Sequence, residues 1–373
     1  MPPSEKTASA LFEPYDLAGT RFRNRLAVAP MTRVSAAQSG EATPVMASYY
    51  EGFAEGGFGL IITEGLYTDT EHSQGYFYQP GMAVTEHAQS WKEIVRRVHK
   101  RGARIFAQIM HAGSQSQGNR YSQTTIGPSS VAPKGMQLSM YRGNGPYRVP
   151  QEITPEQISQ VKEGFVSAAL LAKEAGFDGV EIHGANGYLI DQFLTSYLNQ
   201  RADEYGGTTA GRVKLAVEIC TEVKSAVGDS MAVGIRISQS KVSDSHHRWE
   251  GRGSDADTIF GALGRTGIDF IHTTEYRATS PAFEGSTESL AELAGRISKL
   301  PVIANGNLDV PDHGAEMISS GDAQMVALGK PALANRDWPH RVLAGKELST
   351  DLNASLLGPI ANIKDWELEL LNT

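Results

Sequence analysis

The sequence predicts a single (βα)8 TIM barrel, an α/β fold in which eight parallel strands alternate with eight helices and close into a ring. Two observations support this prediction. Eight short apolar runs, of the kind found in strands buried on both faces, alternate with segments of helical periodicity. In addition, three long irregular segments each follow a strand and precede a helix, which places them on one rim. A doubly wound open sheet is the alternative, but at 373 residues such a sheet usually divides into two lobes.

The predicted strands and helices alternate along most of the chain. The strand-like runs cover residues 25–29, 60–63, 104–109, 179–182, 232–237, 270–272, 302–304 and 325–328. The helical segments cover residues 44–54, 86–101, 155–175, 212–227, 255–265, 287–298, 309–319 and 335–344. Thr154 and Pro155 form a typical helix start, and Gly102 and Gly176 follow two predicted helix ends, where a left-handed residue is favoured.

The chain is longer than a typical barrel of about 250 residues, and three irregular segments hold much of the excess. They cover residues 112–151, 239–253 and 274–286. Because active sites of such barrels lie at the carboxyl ends of the strands, we expect these segments to form an elaborated catalytic rim. We expect one domain over residues 1–373, while the ends at 1–10 and 348–373 show no pattern that predicts their structure.

Composition and charge exclude several classes of protein. Hydrophobic residues make up 40% of the chain, and 34 Lys and Arg against 42 Asp and Glu give a net charge of −8 without long single-sign runs. This balance argues against nucleic-acid binding. No apolar run approaches the ~20 residues that span a bilayer, and the N-terminus lacks the pattern of a secretory signal. Cys220 is the only cysteine, which excludes disulfides within the chain and cysteine-based metal clusters, so we expect a cytoplasmic protein without membrane contact.

The strongest candidate site follows the predicted strand at 179–182. His183, Asn186 and Tyr188 come just after this buried run, at the end of the strand where ligands bind in such folds. If the turn after the strand is helical, His183 and Asn186 can converge on one atom while Tyr188 points to another side. The alternative is structural: a rim histidine bonded to the main chain, an asparagine in a turn and a tyrosine packed on a loop.

Other strand ends also supply polar groups to this rim. Strand one leads into Ala29, Pro30, Met31 and Thr32, strand two into Glu64 and Gly65, while strands three and five contain Gln108 and Arg236. Polar side chains inside buried strands are costly unless a polar partner meets them. The alternative for Arg236 is a salt bridge inside the barrel to Glu64 or Glu181, and for Gln108 it is a hydrogen-bonded core amide.

The last two strands end in glycines that suit a phosphate. Gly306 and Asn307 follow strand seven, and Gly329 and Lys330 follow strand eight. Loops after strands seven and eight commonly hold a phosphate in such barrels, because glycines expose main-chain N–H groups and a cation adds charge. A phosphorylated ligand is therefore predicted, although turn glycines and a solvated lysine would explain either pair alone.

Several motifs in order along the chain carry a resemblance to a known family. They are APMTR at 29–33, FAQIMHAG at 106–113, HGANGYLIDQFL at 183–194, NQRADEYGG at 199–207, GIRIS at 234–238, and the late ANGN and ALGK. Together they resemble the Old Yellow Enzyme family of FMN-dependent ene-reductases, over roughly residues 11–343. The resemblance implies that NAD(P)H reduces the bound FMN and that the substrate is a small activated alkene, an α,β-unsaturated carbonyl compound.

The resemblance also implies a role for each candidate residue. Tyr188 would be the proton donor, while His183 and Asn186 would bind the substrate carbonyl oxygen. No metal, nucleic acid or membrane partner is implied, and a homo-oligomer stays open. The residues implied in FMN binding lie along the ring, at its pyrimidine end and at the phosphate, and they are Ala29, Pro30, Met31, Thr32, Gly65, Gln108, Arg236, Gly306, Asn307, Gly329 and Lys330.

This sequence departs from the family pattern at several positions. Lys330 stands where the family usually has arginine, and Ser114 and Gln239 replace an arginine and a proline on the rim. Thr32 stands where one branch has cysteine, and the branch with an iron–sulfur cluster is excluded because Cys220 is alone. Two other functions stay open: a flavin-free lyase or aldolase acting on a phosphorylated substrate, and a non-catalytic FMN-binding protein. A metallohydrolase is disfavoured because no HxH or HExxH motif occurs.

Overall fold

A computed structural model describes residues 10–369 of the chain. Its centre is a closed ring of eight parallel strands, which confirms the predicted barrel. Each strand pairs with the next along the chain, and the ring closes because Val28 of the first strand pairs with Leu328 of the last. The barrel strands are β1 (Leu26–Val28), β2 (Leu60–Ile62), β3 (Arg104–Met110), β4 (Gly179–Asn186), β5 (Ala232–Lys241), β6 (Phe270–Thr274), β7 (Val302–Asn305) and β8 (Met325–Leu328).

The helices that follow the strands pack around the ring, and most lie where the sequence predicts them. Thr154 caps one helix through a reciprocal capping box, and Gly176 ends the same helix in the left-handed conformation, as predicted. These helices are α1 (Pro44–Glu55), α2 (Thr85–Lys100), α3 (Pro155–Ala175), α4 (Thr209–Val227), α5 (Gly253–Leu263), α6 (Leu290–Ser298), α7 (Pro311–Ser320) and α8 (Trp338–Leu343).

The last predicted helix, at 335–344, is only partly correct. The chain forms a short helix at Lys330–Ala334, leaves it at Asn335, and begins α8 at Trp338. Pro339 explains the break, because a continuous helix would place its ring against the carbonyl of Asn335 and lose a hydrogen bond. The Asn335 side chain instead bonds the main chain of Ser349 in both directions, which ties the break to the chain that follows.

A hairpin that the sequence did not predict covers the amino-terminal end of the barrel. Its strands, Tyr15–Leu17 and Thr20–Phe22, are antiparallel. Phe22 packs edge-on against Phe106, with ring centroids 5.9 Å apart, and Phe106 lies 5.6 Å from Phe270. These rings fill the barrel interior at the hairpin end, so the cavity described below opens only towards the opposite rim.

The rim segments contain further short elements. The first irregular segment, 112–151, includes the strand Ile126–Gly127, which pairs in parallel with Gln151–Glu152. A short helix, Leu189–Leu194, follows β4 directly. Among residues 10–369, no helix is long and apolar enough to cross a membrane.

A buried ion pair attaches the carboxyl-terminal segment to the end of β1. Arg33 is 0% exposed, and its two terminal nitrogens lie 3.0 and 2.6 Å from the two carboxylate oxygens of Glu367, in the helix Asp365–Glu369. Its Nε also donates to the carbonyl of Ala361. The end of the chain, for which the sequence predicted no structure, therefore packs on the barrel as far as residue 369. The prediction of one domain over 1–373 stays a prediction, and residues 1–9 and 370–373 lie outside the described part.

Replacing Glu367 with Ala should lower the free energy of unfolding by about 3–5 kcal/mol, because Arg33 would keep a buried charge without its partner. Urea unfolding followed by circular dichroism measures this change. Glu93→Ala is the matched control, since Glu93 pairs with Arg96 and Arg97 on the exposed face of α2. Loss of these exposed pairs should change the midpoint of urea unfolding very little. Equal midpoint shifts in the two variants would contradict the assigned role of the buried pair.

Candidate active site

The carboxyl end of the barrel holds a cavity of about 290 Å³ that collects most of the predicted site residues. All of the candidates except Gly306 and Asn307 line it. The predicted residues on its wall are Ala29, Pro30, Met31, Thr32, Gly65, Gln108, His183, Asn186, Tyr188, Arg236, Gly329 and Lys330.

A second cavity, of about 640 Å³, adjoins the first and contains the two remaining candidates, Gly306 and Asn307. The two cavities share Asn305, Gly329 and Lys330 as walls. A ligand with a flat head and an extended tail can therefore occupy both at once, with its tail at the ends of β7 and β8.

The chain between His183 and Asn186 is a strand, so the helical turn that would have let the two side chains converge does not form. β4 runs on to Asn186, and its pairing with β5 shifts register between Gly184↔Ile237 and Asn186↔Lys241. Asn186 takes a left-handed conformation with φ of 64°. In a regular strand, residues three apart face opposite sides, and it is this irregularity that lets His183 and Asn186 line the same cavity.

His183 is a neutral hydrogen-bond donor towards the cavity. The main-chain N–H of Ala185 donates to its Nδ1 at 3.4 Å, so the ring proton of the neutral form lies on Nε2. Burial, together with the charge of Arg236, holds the pKa of His183 well below its usual range. The side chain therefore stays uncharged near neutral pH and presents one N–H group.

The backbone of Asn186 is fixed while part of its side chain has no protein partner. Its N–H donates to Ser238 Oγ at 2.8 Å, and its carbonyl accepts from Gln115 Nε2 at 3.0 Å. The side-chain oxygen is buried and has no hydrogen-bond partner among the described residues. A buried amide with an unmet hydrogen-bonding atom beside a cavity is expected to meet a ligand.

Tyr188 lies beside His183, which contradicts the expectation that it points elsewhere. Their rings are 4.8 Å apart at 63°, and the Tyr188 hydroxyl lies 2.6 Å from that of Tyr76. Burial raises the pKa of Tyr188, so its phenol stays protonated. The imidazole and a protonated phenol thus share one side of the cavity.

Glu181, inside the barrel, fixes the orientation of Gln108. The carboxylate accepts from Gln108 Nε2 at 2.8 Å and from His272 Nδ1 at 2.7 Å. Because a carboxylate only accepts, Gln108 must turn its amide NH₂ group inwards and leave its oxygen for the cavity. The alternative of a hydrogen-bonded core amide is therefore correct for the nitrogen of Gln108 but not for its oxygen.

Arg236 does not form the salt bridge considered as an alternative. In the described part of the chain it pairs with neither Glu64 nor Glu181 within 4 Å, and it donates instead to Asn305 Oδ1 at 2.9 Å. Its Nε is buried and has no hydrogen-bond partner within residues 10–369. Gln108 and Arg236 therefore offer one acceptor and one free donor to a ligand in the cavity.

Glu64 has a separate role behind the wall of the cavity. One carboxylate oxygen accepts from the main-chain N–H groups of Arg33, at 2.9 Å, and Val34, at 3.3 Å, and the other accepts from the hydroxyl of Tyr50. These bonds hold the chain just after Thr32. Burial raises the pKa of Glu64 to about 7.

The glycines after β7 and β8 differ in their surroundings. Gly306 has φ of 144°, and a Cβ there would collide with the carbonyl oxygen of Glu275. Only glycine fits that backbone. Gly329 precedes the helix Lys330–Ala334, and Lys330 is exposed at its first position beside the second cavity.

Sequence reasoning missed several residues that line the first cavity. Asn305 could have been found, since a polar side chain at a strand end is the signal used for its neighbours. The others come from irregular segments or are apolar, and no pattern identifies them. The missed residues are Tyr76, Met110, Leu138, Tyr141, Val242, Asn305, Leu333 and Leu357.

The departure at Gln239 has a structural explanation. Gln239 is buried, its Nε2 donates to the carbonyl of Ala282 at 3.0 Å, and its Oε1 accepts from the N–H of Trp249 at 3.3 Å. Its own N–H donates to Glu275. A proline could make neither the main-chain nor the side-chain bonds, so this residue joins the rim segments after β5 and β6 in a way specific to this chain.

The two cavities define the class of protein. An acceptor and a donor at one end suit the imide edge of a planar ring, and a glycine turn with a lysine at the other end suits a phosphate. Flavin mononucleotide has this form, and the buried Nε of Arg236, which has no hydrogen-bond partner among the described residues, belongs to a side chain on the wall of the first cavity. The fold and site are those of a flavin-dependent oxidoreductase built on a TIM barrel.

The chain belongs to the NADH:flavin oxidoreductase / NADH oxidase family, whose sequence profile matches residues 10–349. A probable flavin mononucleotide-dependent alkene reductase of Leishmania infantum is 32% identical over 94% of this chain and 94% of its own. The NADH oxidase of Thermoanaerobacter brockii is 31% identical over 87% of this chain, which spans only 49% of that relative. The structure of an old yellow enzyme homologue from Zymomonas mobilis superimposes with a TM-score of 0.84 at 28% identity, covering 96% of this chain and 98% of the other. These findings confirm the resemblance predicted from the motifs.

The stability of the protein should depend on pH through Glu64. Its pKa is raised from 4.5 to about 7 in the folded state, so the folded chain holds this proton more tightly than the unfolded chain. The stabilisation is complete below the unfolded value and is lost as pH rises through about 7, a change on the order of 3 kcal/mol. Urea unfolding of the wild type and of Glu64→Gln across this range measures the difference. If the difference in free energy of unfolding between the wild type and Glu64→Gln did not decrease with rising pH, the raised pKa of Glu64 would be contradicted.

Proposed function

We propose that the protein is an FMN-dependent ene-reductase that uses NAD(P)H to reduce the activated C=C bond of α,β-unsaturated carbonyl compounds. The observation that carries this proposal is the position of the His183 N–H and the Tyr188 hydroxyl over the same cavity that presents Gln108 and Arg236. Bound FMN supplies the hydride, which it receives from the nicotinamide and delivers from ring atom N5 to the β-carbon of the alkene.

The residues proposed to hold FMN divide between the two cavities. In the first cavity, Gln108 would accept a hydrogen bond from the ring, and Arg236 would donate one and favour negative charge on it. Ala29, Pro30, Met31, Thr32 and Gly65 would contact the ring. Gly306, Asn307, Gly329 and Lys330 would hold the phosphate.

His183 and Asn186 are proposed to bind the carbonyl oxygen of the substrate. Negative charge develops on this oxygen as the β-carbon accepts a hydride, and fixed donors aimed at it lower the barrier. A neutral His183 serves this role well, because its single N–H is already oriented by the bond from Ala185. Asn186 lines the same cavity as His183, and its amide nitrogen can donate to the same oxygen.

Tyr188 is proposed to protonate the α-carbon. A general acid must keep its proton until the transition state, and the raised pKa of the buried Tyr188 ensures this. Its contact with the His183 ring places the phenol next to the bound carbonyl group. The substrate is thus held by two donors and protonated by a third group that differs from them.

Two other functions remain to be tested against this one. A flavin-free lyase or aldolase would use the phosphate cradle for its substrate. Lys241, which pairs with Asn186 in the barrel sheet, is fully buried in an ion pair with Asp191 and is not free to act as an amine nucleophile. A non-catalytic FMN-binding protein would bind the cofactor without turnover. The cytoplasmic location and the homo-oligomer stay predictions.

The experiment that separates these functions is stopped-flow absorbance of the purified protein. An ene-reductase shows a flavin spectrum that bleaches with NADPH or NADH and returns when 2-cyclohexenone is added. A protein that cannot be loaded with FMN would favour the lyase, and bleaching without reoxidation by enones would leave only a flavin reductase.

Tyr188→Phe should keep the rate of flavin reduction by the nicotinamide and slow reoxidation by the enone. A general acid typically contributes 10²–10⁴-fold, so we expect a loss of about 100-fold or more in the second half-reaction. Stopped-flow traces of the two half-reactions measure both rates. Equal losses in both would indicate that Tyr188 has only a structural role.

Gly306→Ala should weaken FMN binding, because the added Cβ collides with the carbonyl of Glu275 and the left-handed backbone disfavours alanine. Flavin fluorescence measured on dilution should show that the dissociation constant for FMN rises about 10-fold or more. A tenfold rise corresponds to a loss of ~1.4 kcal/mol of binding free energy. Gly261→Ala, in α5, adds the same atom with its nearest contact at 3.7 Å and is the control. Unchanged FMN retention in Gly306→Ala would remove this turn from the cofactor site.

A further inference from the structure

Tyr76 is a buried phenol in contact with the candidate proton donor. It belongs to the irregular segment between β2 and α2, is 3% exposed, and lines the first cavity beside Tyr188. The two hydroxyl oxygens are 2.6 Å apart, which is a short hydrogen bond between phenols. No sequence motif pointed to this residue.

Only one direction of this hydrogen bond is compatible with catalysis. Each phenol has a single O–H proton. If Tyr188 donated to Tyr76, its proton would face away from the substrate. If Tyr76 donates and Tyr188 accepts, the Tyr188 proton is free to point into the cavity.

We propose that Tyr76 is a positioning residue that donates a hydrogen bond to Tyr188, orients its proton towards the substrate and stabilises its phenolate. This inference rests on the proposed function, in which Tyr188 protonates the α-carbon. Tyr76 itself need not touch the substrate or the cofactor to act in this way.

The segment that carries Tyr76 is held rigidly, as a positioning residue requires. The Tyr76 N–H donates to Gln79 Oε1 at 3.3 Å, and Gln79 Nε2 donates to the carbonyl of Gly65 at 2.7 Å, at the end of β2. On the other side the carbonyl of Gly75 accepts from the N–H of Gln117 at 3.0 Å, in the rim segment after β3. The phenol is therefore fixed between two strand ends that also form the cavity.

Packing further restricts the ring of Tyr76. Tyr141 lies against it with ring centroids 4.6 Å apart, and the hydroxyl of Tyr141 donates to the carbonyl of Thr32 at 3.3 Å. Since Phe can keep this packing, replacement of Tyr76 with Phe removes the hydroxyl and little else.

The proton balance of the step is simple. The O–H bond of Tyr188 breaks and a C–H bond forms at the α-carbon, which holds the excess electron pair once the β-carbon has accepted a hydride. Tyr188 is left as a phenolate that accepts the hydrogen bond of Tyr76, and water returns the proton after the product leaves. Tyr76 keeps its own proton throughout.

The electrostatics agree with this direction of donation. Burial raises the pKa of Tyr188, while the hydrogen bond from Tyr76 acts against burial and lowers it. The pKa of Tyr76 is raised well above its usual range by burial and by the neighbouring phenols. A hydrogen bond donated by Tyr76 therefore makes it easier for Tyr188 to give up its proton.

The test measures both half-reactions in Tyr76→Phe, Tyr188→Phe and the double variant. Tyr76→Phe should slow the enone half-reaction about 10-fold to 100-fold, the range for loss of a hydrogen bond to a charged group, and leave flavin reduction unchanged. In the Tyr188→Phe background the same change should have no further effect, because Tyr76 acts through Tyr188. A structural role for Tyr76 would give additive losses and would overturn the inference.

A second measurement does not depend on turnover. Ultraviolet difference titration, wild type against Tyr188→Phe, reports the ionisation of Tyr188, and Tyr76→Phe should move this ionisation to higher pH. Tyr147→Phe is the control, since Tyr147 is a buried phenol near Tyr188 that does not share its hydrogen bond in the described residues. An unchanged titration in Tyr76→Phe would overturn the inference.

The outcomes also separate this inference from the proposed function. If Tyr188→Phe does not slow the enone step, the role of Tyr188 fails and the inference fails with it. If Tyr188→Phe slows that step and Tyr76→Phe does not, only the inference about Tyr76 fails.

Discussion

The buried carboxylate of Glu181 is the constraint on which the arrangement of the site depends. This charge is fully buried inside the barrel, so neighbouring side chains must satisfy it. Gln108 and His272 do so, and Gln108 is thereby turned with its oxygen towards the cavity. Arg236 lies close enough to feel the charge without pairing with it, and it keeps one nitrogen free. The hydrogen-bonding atoms at this edge of the cavity are therefore determined by the partners that the buried Glu181 carboxylate requires.

Much of the fold and the list of site residues could be predicted from the sequence because both have local signals. Buried strands are short apolar runs, and polar residues at their carboxyl ends must lie on one rim, as Gln108 and His183 do. What could not be predicted depends on contacts distant in sequence or on single dihedral angles. Asn186 takes a left-handed conformation at an irregular strand end and not a helical turn, and Arg236 donates to Asn305 and not to either of the two acids considered. Tyr76 lies in an irregular segment whose path is set by bonds to two strand ends.

The departures from the family pattern take on physical meaning in the structure. Gln239 is a buried junction between two rim segments, where a proline would lack both the side-chain bonds and the main-chain donor. Lys330 stays exposed at the edge of the second cavity, where a single positive charge can approach a phosphate without forked geometry. Both of these departures therefore lie on the rim at the carboxyl end of the barrel.

Attachment of the end of the chain through Arg33 also bears on how the protein is made. Leu357, which forms part of the cavity wall, belongs to the segment bound by Arg33, and the ribosome synthesises this segment only after all eight strands. A nascent chain can thus close its barrel before the segment with Leu357 completes the wall of the cavity. The finished shape of the pocket depends on a segment made after all eight strands docking against the residues that follow the first of them.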